Sequence, residues 1–137
     1  MAEIIPPLNS QTLRRMTTGE KQVARRLKSL LEDDYLVWYD IPVGRKRRYP
    51  DFIILHPSRG LLFLEVKDWK RQTLKKISKT DVTLLTDCGQ VTKLHPLDQA
   101  RQYTYSVINV LQRDTRLVES SGQYRGNLII PYGWGVI

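Results

Sequence analysis

Asp51, Glu65 and Lys67 are residues of this chain whose types and spacing could do chemistry. Asp51 opens the run "DFIILHP", and Glu65 and Lys67 close the run "GLLFLEVKDW". Side chains alternate along a strand, so a spacing of two sets Glu65 and Lys67 on one face of a sheet. If the two runs are neighbouring strands, two carboxylates and an amine converge. Phosphodiester hydrolysis needs such a set: hard carboxylate oxygens to hold Mg²⁺, which usually keeps several waters for lack of a full protein cage, and a cation beside the attacking water. The competing reading is structural, with Asp51 and Lys67 as an ion pair at a strand end and Glu65 solvating the edge. By average residue usage, Pro-Asp followed by Glu-x-Lys arises by chance in about one chain in twenty of this length. Placement supplies the rest, because charged groups are rarely set in central strands unless paired or metal-bound.

Three further residues qualify for the same centre. Thr17-x-x-Glu20 fits a capping box, in which the glutamate folds back on the start of a helix. Glu20 also shares a stripe with Val23, Leu27 and Leu31, which aims it at the sheet, and the two roles are compatible. Gln99 and Tyr103 stand at i and i+4 on a second helix; the tyrosine reads as core and the glutamine is the odd member.

The elements that must position these groups follow from periodicity. Residues 1–16, with Pro6 and Pro7, read as an amino-terminal arm ahead of a domain over 17–137. A helix is predicted from about Thr18 to Asp33, with Val23, Leu27, Leu30 and Leu31 at helical spacing. "YLVWYDIPV", "DFIILHP" and "GLLFLEVKDW" read as strands, the last two central because they are nearly continuous apolar runs. "DVTLL" and "QVTKL" flank "TDCG" and predict a smaller peripheral hairpin with Gly89 at positive φ. "HPLDQARQYTYSVINVLQRD" is a second helix, with Pro96 near its first position, Asp98 in its first turn, and Tyr103, Val107, Val110 and Leu111 on one side. "GNLIIPYGWGVI" begins as another buried strand. The order is that of an α/β fold with a mixed central sheet flanked by helices.

Composition narrows the partners. With 22 Lys and Arg against 14 Asp and Glu, the 137-residue chain carries +8, a charge that draws phosphate-rich ligands, nucleic acid first and an anionic membrane surface second. The start has no signal-peptide pattern and no stretch approaches the about 20 apolar residues of a membrane span, so a cytoplasmic protein is expected. Cys88 is the single cysteine and cannot form an internal disulfide, and His56 and His95 stand alone without zinc-type spacing.

Taken together, Pro50-Asp51, Glu65-Val66-Lys67 and Gln99-Ala100-Arg101-Gln102-Tyr103 resemble the PD-(D/E)xK nuclease fold, with the Q-x-x-x-Y motif of its RecB-like branch. Within that fold, "GEKQVARRLKSLL", "PDFIILHPSRGLLFLEVKDW" and "HPLDQARQY" resemble the NERD (nuclease-related) domain, over about residues 17 to 112. Segments such as "EVKDW" and "PYGWGV" are similar to the amino-terminal NERD domain of superfamily 1, UvrD-like DNA helicases. The abrupt end at Ile137 fits that likeness, with a helicase motor expected beyond it.

The resemblance implies that Asp51 and Glu65 ligate Mg²⁺ or Mn²⁺, helped by the Val66 carbonyl and Glu20. It implies that Lys67 orients the attacking water and stabilises phosphate charge, and that Gln99, supported by Tyr103, positions the lysine or the nucleic-acid backbone. Arg45, Lys46, Arg47 and Arg48 lead into Asp51 and read either as a grip on DNA or as a solvated turn. Trp69 either stacks on a base or packs the edge, and Lys70, with Arg71, Lys75, Lys76 and Lys79, extends a phosphate track or is a solvated face. The expected function is a metal-dependent nuclease acting on DNA, in repair or processing and in cis with a helicase. The alternatives are a non-catalytic DNA-binding module of the same fold, and a protein- or RNA-binding domain with a merely solubilising charge.

Overall fold

The computed structural model describes residues 1–43 and 49–137. Arg45, Lys46, Arg47 and Arg48 fall outside the described residues. Eight strands and three α-helices are present among the rest: β1 (Glu3–Ile5), α1 (Ser10–Arg15), α2 (Thr18–Leu30), β2 (Leu36–Tyr39), β3 (Phe52–His56), β4 (Gly60–Glu65), β5 (Leu74–Ile77), β6 (Asp81–Thr86), β7 (Gly89–Leu94), α3 (Pro96–Leu111) and β8 (Tyr132–Val136).

The central sheet has the order β1-β2-β3-β4-β8 and is mixed as expected, with β1 parallel to β2, β8 parallel to β4, and the two inner pairs antiparallel. The apolar runs of β3 and β4 are near-continuous because both faces are covered. Val37, Tyr39, Phe52, Ile54 and Leu64 pack with Val23 and Ala24 of α2 on one side. Ile53, Leu55, Leu61 and Phe63 pack with Val107, Ile108 and Leu111 of α3 on the other. Phe52 and Phe63 are wholly buried, one in each layer, and truncating such a ring costs about 3–5 kcal/mol.

Several elements depart from expectation. The first residues are extended but docked: Glu3–Ile5 pairs with β2, and Ala2, Ile4 and Met16 are buried. Arm and domain therefore share one core. α2 ends at Leu30, which is 77% exposed, so the buried stripe runs through Val23, Ala24, Leu27 and Leu31. The buried line of α3 is Ala100, Thr104, Val107 and Ile108, with the Thr104 hydroxyl donating to the Ala100 carbonyl at 2.8 Å. Tyr103 lies at its margin, part-exposed. The predicted hairpin, with Gly89 at φ 99°, gains a partner in β5 and becomes a separate antiparallel sheet of order β5-β6-β7.

β8 occupies only the last part of "GNLIIPYGWGVI", because Pro131 precedes it and has no N–H for a ladder. The Pro131 carbonyl instead accepts the Leu61 N–H at 2.9 Å, which sets the start of β8 against β4. Gly60 makes this approach possible: its φ is +89°, and an added Cβ would stand 2.1 Å from the Pro131 oxygen. Gly60→Ala combines left-handed strain with a backbone clash and is expected to lower unfolding free energy by about 2 kcal/mol or more in urea titration. A loss under about 0.5 kcal/mol, the size of a neutral surface change, would contradict this account of β8 docking.

Candidate functional site

Phe52 pairs with Leu64, and the next pair outward in that register is Asp51 with Glu65. Both side chains follow the parity of Ile53 and Phe63 and so lie on the α3 side of the sheet. Asp51 Oδ2 accepts the Val66 N–H at 2.8 Å, which closes the open end of the β3–β4 ladder with a side chain. Beyond Glu65 the parallel ladder with β8 continues, since Ile137 N donates to the Glu65 carbonyl at 2.9 Å and Lys67 N to the Ile137 carbonyl at 2.8 Å. Strand geometry therefore persists through Lys67. Its Nζ lies 3.5 Å from Glu65 Oε1, with side-chain exposures of 22% and 7%.

Burial governs the electrostatics. Asp51 is pushed up to about 6, chiefly by desolvation; the charges of Glu20 and Asp40 add to the rise, and the Val66 N–H and Lys67 oppose it. Glu65 is pushed up to about 7, again chiefly by desolvation and then by the Asp51 charge, against the pull of Lys67. Glu65 Oε2 is buried with no hydrogen-bond partner among the described residues. A buried acceptor left without a partner costs about 1–3 kcal/mol. One lysine cannot balance two buried carboxylates, and an all-oxygen donor set with an unused lone pair suits a hard divalent cation such as Mg²⁺ or Mn²⁺. The residues present thus fit such a cation.

Glu20 sits in the capping box at the start of α2, and its charge acts on Asp51 and Glu65. Its Oε2 accepts the Thr17 N–H at 3.1 Å while Thr17 Oγ1 accepts the Glu20 N–H at 3.3 Å, completing the capping box. The same carboxylate accepts the Tyr39 hydroxyl at 2.8 Å and adds to the upward shift of both Asp51 and Glu65. Burial, then this hydrogen bond to Glu20, raises the Tyr39 phenol. Tyr39 gave no sign in sequence of a role here, since it reads as the last aromatic of a strand. Asp40 was likewise missed; it adopts φ 51°, donates its N–H to the Asp51 carbonyl at 3.0 Å, and is one of the few residue types that tolerate the left-handed region.

The Gly19-Glu20 and Asp68-Trp69 pairs, far apart in sequence, meet in space. Asp68 Oδ1 accepts the Gly19 N–H at 2.7 Å at the amino end of α2, where helix N–H groups lack internal partners. A Cβ on Gly19 would stand 2.2 Å from that oxygen. This contact ties the segment after Lys67 to the helix that carries Glu20.

Gln99 Nε2 donates to the Tyr103 hydroxyl at 2.7 Å, and both line a cleft of about 320 Å³ with Lys67 and Trp69. Lys67 Nζ lies 5.6 Å from the Trp69 ring centroid. Lys70 is exposed. Cys88 is exposed and has no partner among the described residues.

A second cluster was not foreseen. Glu32, Asp34 and His56 place one ligand atom each within 4.8 Å of one another. It lies at the far end of β3, five residues from Asp51, or about 17 Å by strand rise. His56 Nδ1 accepts the Ser58 N–H at 3.1 Å, so the ring proton is on Nε2, 2.9 Å from Asp34 Oδ2. A metal-binding histidine normally donates through its other nitrogen, and here that nitrogen faces a donor. The Asp34–His56 pair is therefore better suited to tie the α2–β2 loop to β3 than to ligate metal.

A mixed sheet between two helices, with paired carboxylates and a lysine at adjoining strand ends, defines a nuclease-like α/β domain. Residues 15–129 match the nuclease-related domain family, NERD, and the chain belongs to that family. No curated protein and no solved structure matches it significantly. Among the described residues no helix is long and apolar enough to cross a membrane.

Because the folded pKa values of Asp51 and Glu65 exceed their unfolded values near 4, the native state binds more protons between about pH 4 and pH 7. Their contribution to stability is full below that window and is lost as pH rises through it. In chelator, the melting temperature of the wild type should fall over this range more steeply than that of Asp51→Asn or Glu65→Gln. Parallel profiles would contradict the assignment. At the helix start, Gly19→Ala and Asp68→Ala should each lower melting temperature, and the double variant should be no worse than the more damaging single, as two ends of one contact require; additive losses would show that the two act separately.

Proposed function

We propose that this chain is a divalent-metal-dependent nuclease domain that hydrolyses phosphodiester bonds in DNA. The observation that carries the reading is the buried, partnerless Glu65 Oε2, beside Asp51 and within reach of Lys67. Asp51 and Glu65, with the Val66 carbonyl and Glu20, would hold Mg²⁺ or Mn²⁺, which supplies Lewis acidity toward a phosphate oxygen and makes water easier to deprotonate. The chain's own residues supply the remainder. Asp51 is oriented by the Val66 N–H, and the Glu20 carboxylate by Tyr39 and Thr17. Lys67 is held by Glu65 and would orient the attacking water and stabilise charge on the phosphate, a preorganised cation in a partly buried setting. Gln99, steadied by Tyr103, would position the scissile strand.

Arg45, Lys46, Arg47 and Arg48 precede Asp51 by only a few residues and would grip phosphates near the scissile bond, supported by their density of charge. Coupling in cis to a superfamily 1 helicase, in DNA repair or processing in the cytoplasm, is supported by the "EVKDW" and "PYGWGV" segments.

Two measurements test this reading. Labelled single- and double-stranded DNA should be cut by the wild type with Mg²⁺ or Mn²⁺, and Glu65→Ala should cut at least about a hundredfold more slowly, the scale of losing one transition-state-stabilising group. Lys67→Ala should lose cleavage and keep most DNA binding. Absence of metal-dependent cleavage by the wild type would reject the enzyme and leave a binding module. Independently of activity, Mg²⁺ or Mn²⁺ should raise the melting temperature of the wild type and of His56→Ala by mass action, but not that of Asp51→Ala; a shift lost in His56→Ala and kept in Asp51→Ala would move the metal to the other end of β3.

A further inference from the structure

We propose that the cleft between β7 and α3 is a channel for single-stranded nucleic acid, with the β5–β7 sheet as its cationic wall and Trp69, Lys93 and Gln102 as the residues that hold the strand. The proposal rests on the nuclease reading and adds to it the form of the substrate.

The cleft is lined by Lys67, Trp69, Lys93, Gln99, Gln102 and Tyr103. Its lining comes from β7, from the first turns of α3 and from the segment following β4. It therefore joins the amine of the chemical centre to Lys93 of β7, which lies outside every nuclease motif of the chain. Lys93 and Lys67 line one space of about 320 Å³ together with two aromatic rings, Trp69 and Tyr103, and two amides, Gln99 and Gln102. A cationic groove with aromatic faces is the general means of holding a single strand, because every base has a π-face and every linkage a phosphate. A duplex offers phosphates but keeps its bases stacked, so it cannot lay a base face on Trp69 as a single strand can.

The sheet beside the cleft supports the same partner. Residues 70–94 contain Lys70, Arg71, Lys75, Lys76, Lys79 and Lys93 against Asp81 and Asp87, a net +4 of the chain's +8. None of these six cations has an ion pair among the described residues, whereas Arg101 and Arg116 on and after α3 do. Of its sixteen strand residues only Val82 and Leu84 are buried, so the sheet adds little to either core layer. A solvated sheet that concentrates unpaired cations beside the chemical centre is suited to lead a polyanion toward Lys67.

The test is fluorescence anisotropy in EDTA, which prevents cleavage, with a labelled 12-nucleotide DNA strand, the same sequence as RNA, and the DNA duplex. One or both single strands should bind more tightly than the duplex. Lys93→Glu should weaken single-strand binding at least about tenfold and lower its salt slope by about one. Trp69→Ala should weaken it at least about fivefold, the lower end of base–aromatic stacking, with the slope unchanged. Lys93→Gln, whose site is exposed and unpaired, keeps the test independent of folding, and a melting temperature equal to wild type with weakened binding supports the channel. Equal or tighter duplex binding, or wild-type affinity in Lys93→Glu, overturns it. These outcomes are read without metal, so single-strand binding of the expected kind without cleavage rejects only the catalytic reading, and cleavage with no preference for single strands and no effect of Lys93 rejects only the channel.

Discussion

The pairing of β3 with β4 is the constraint on which the rest of this structure depends. Phe52 against Leu64 fills one layer and Ile53 against Phe63 the other, and that register places Asp51 beside Glu65. A slip of one residue would exchange the side chains of the two buried layers and separate the carboxylates at once. Core packing and site geometry are thus enforced by the same contacts, and the two carboxylates are held there at a desolvation cost that shows in the raised proton affinity of both.

Around this pair the chain uses hydrogen bonds that serve fold and site together. Val66 N–H finishes a ladder and orients Asp51; Thr17 caps α2 and orients Glu20; Asp68 covers the amino end of α2 and anchors the turn after Lys67. Each is a short-range fit between a backbone donor and a carboxylate, which is why glycine stands at position 19, where Asp68 comes closest. One buried oxygen, on Glu65, is left out of these arrangements.

The periphery divides by what it contributes to the core. β1 and β8 are short strands that flank the central sheet and are pinned by buried side chains or by the Gly60–Pro131 approach. Residues 70–94, which form the β5–β7 sheet and its flanking loops, pack little and carry half of the net charge. At the far end of β3, His56 joins Asp34 in a contact whose tautomer suits a structural tie.

Much of this was legible from residue order. The 3.6-residue stripe of α2, the continuous apolar runs of β3 and β4, Pro96 at the start of α3, and the capping box at Thr17 are local patterns, and local physics sets them. The spacing of Glu65 and Lys67 guarantees a shared face in any strand, and the Asp51 and Gln99 motifs marked their partners by type. Contacts between residues distant in sequence were not legible. That Gly19 meets Asp68, that Tyr39 reaches Glu20, that Asp34 finds His56, and that Lys93 lines one cleft with Lys67 depends on how separate elements stack, which no periodicity encodes. Sequence alone determined which groups could do chemistry and on which strand faces they stand; tertiary packing decided which of them meet, because only the closed sheet and its two helices fix distances across the chain.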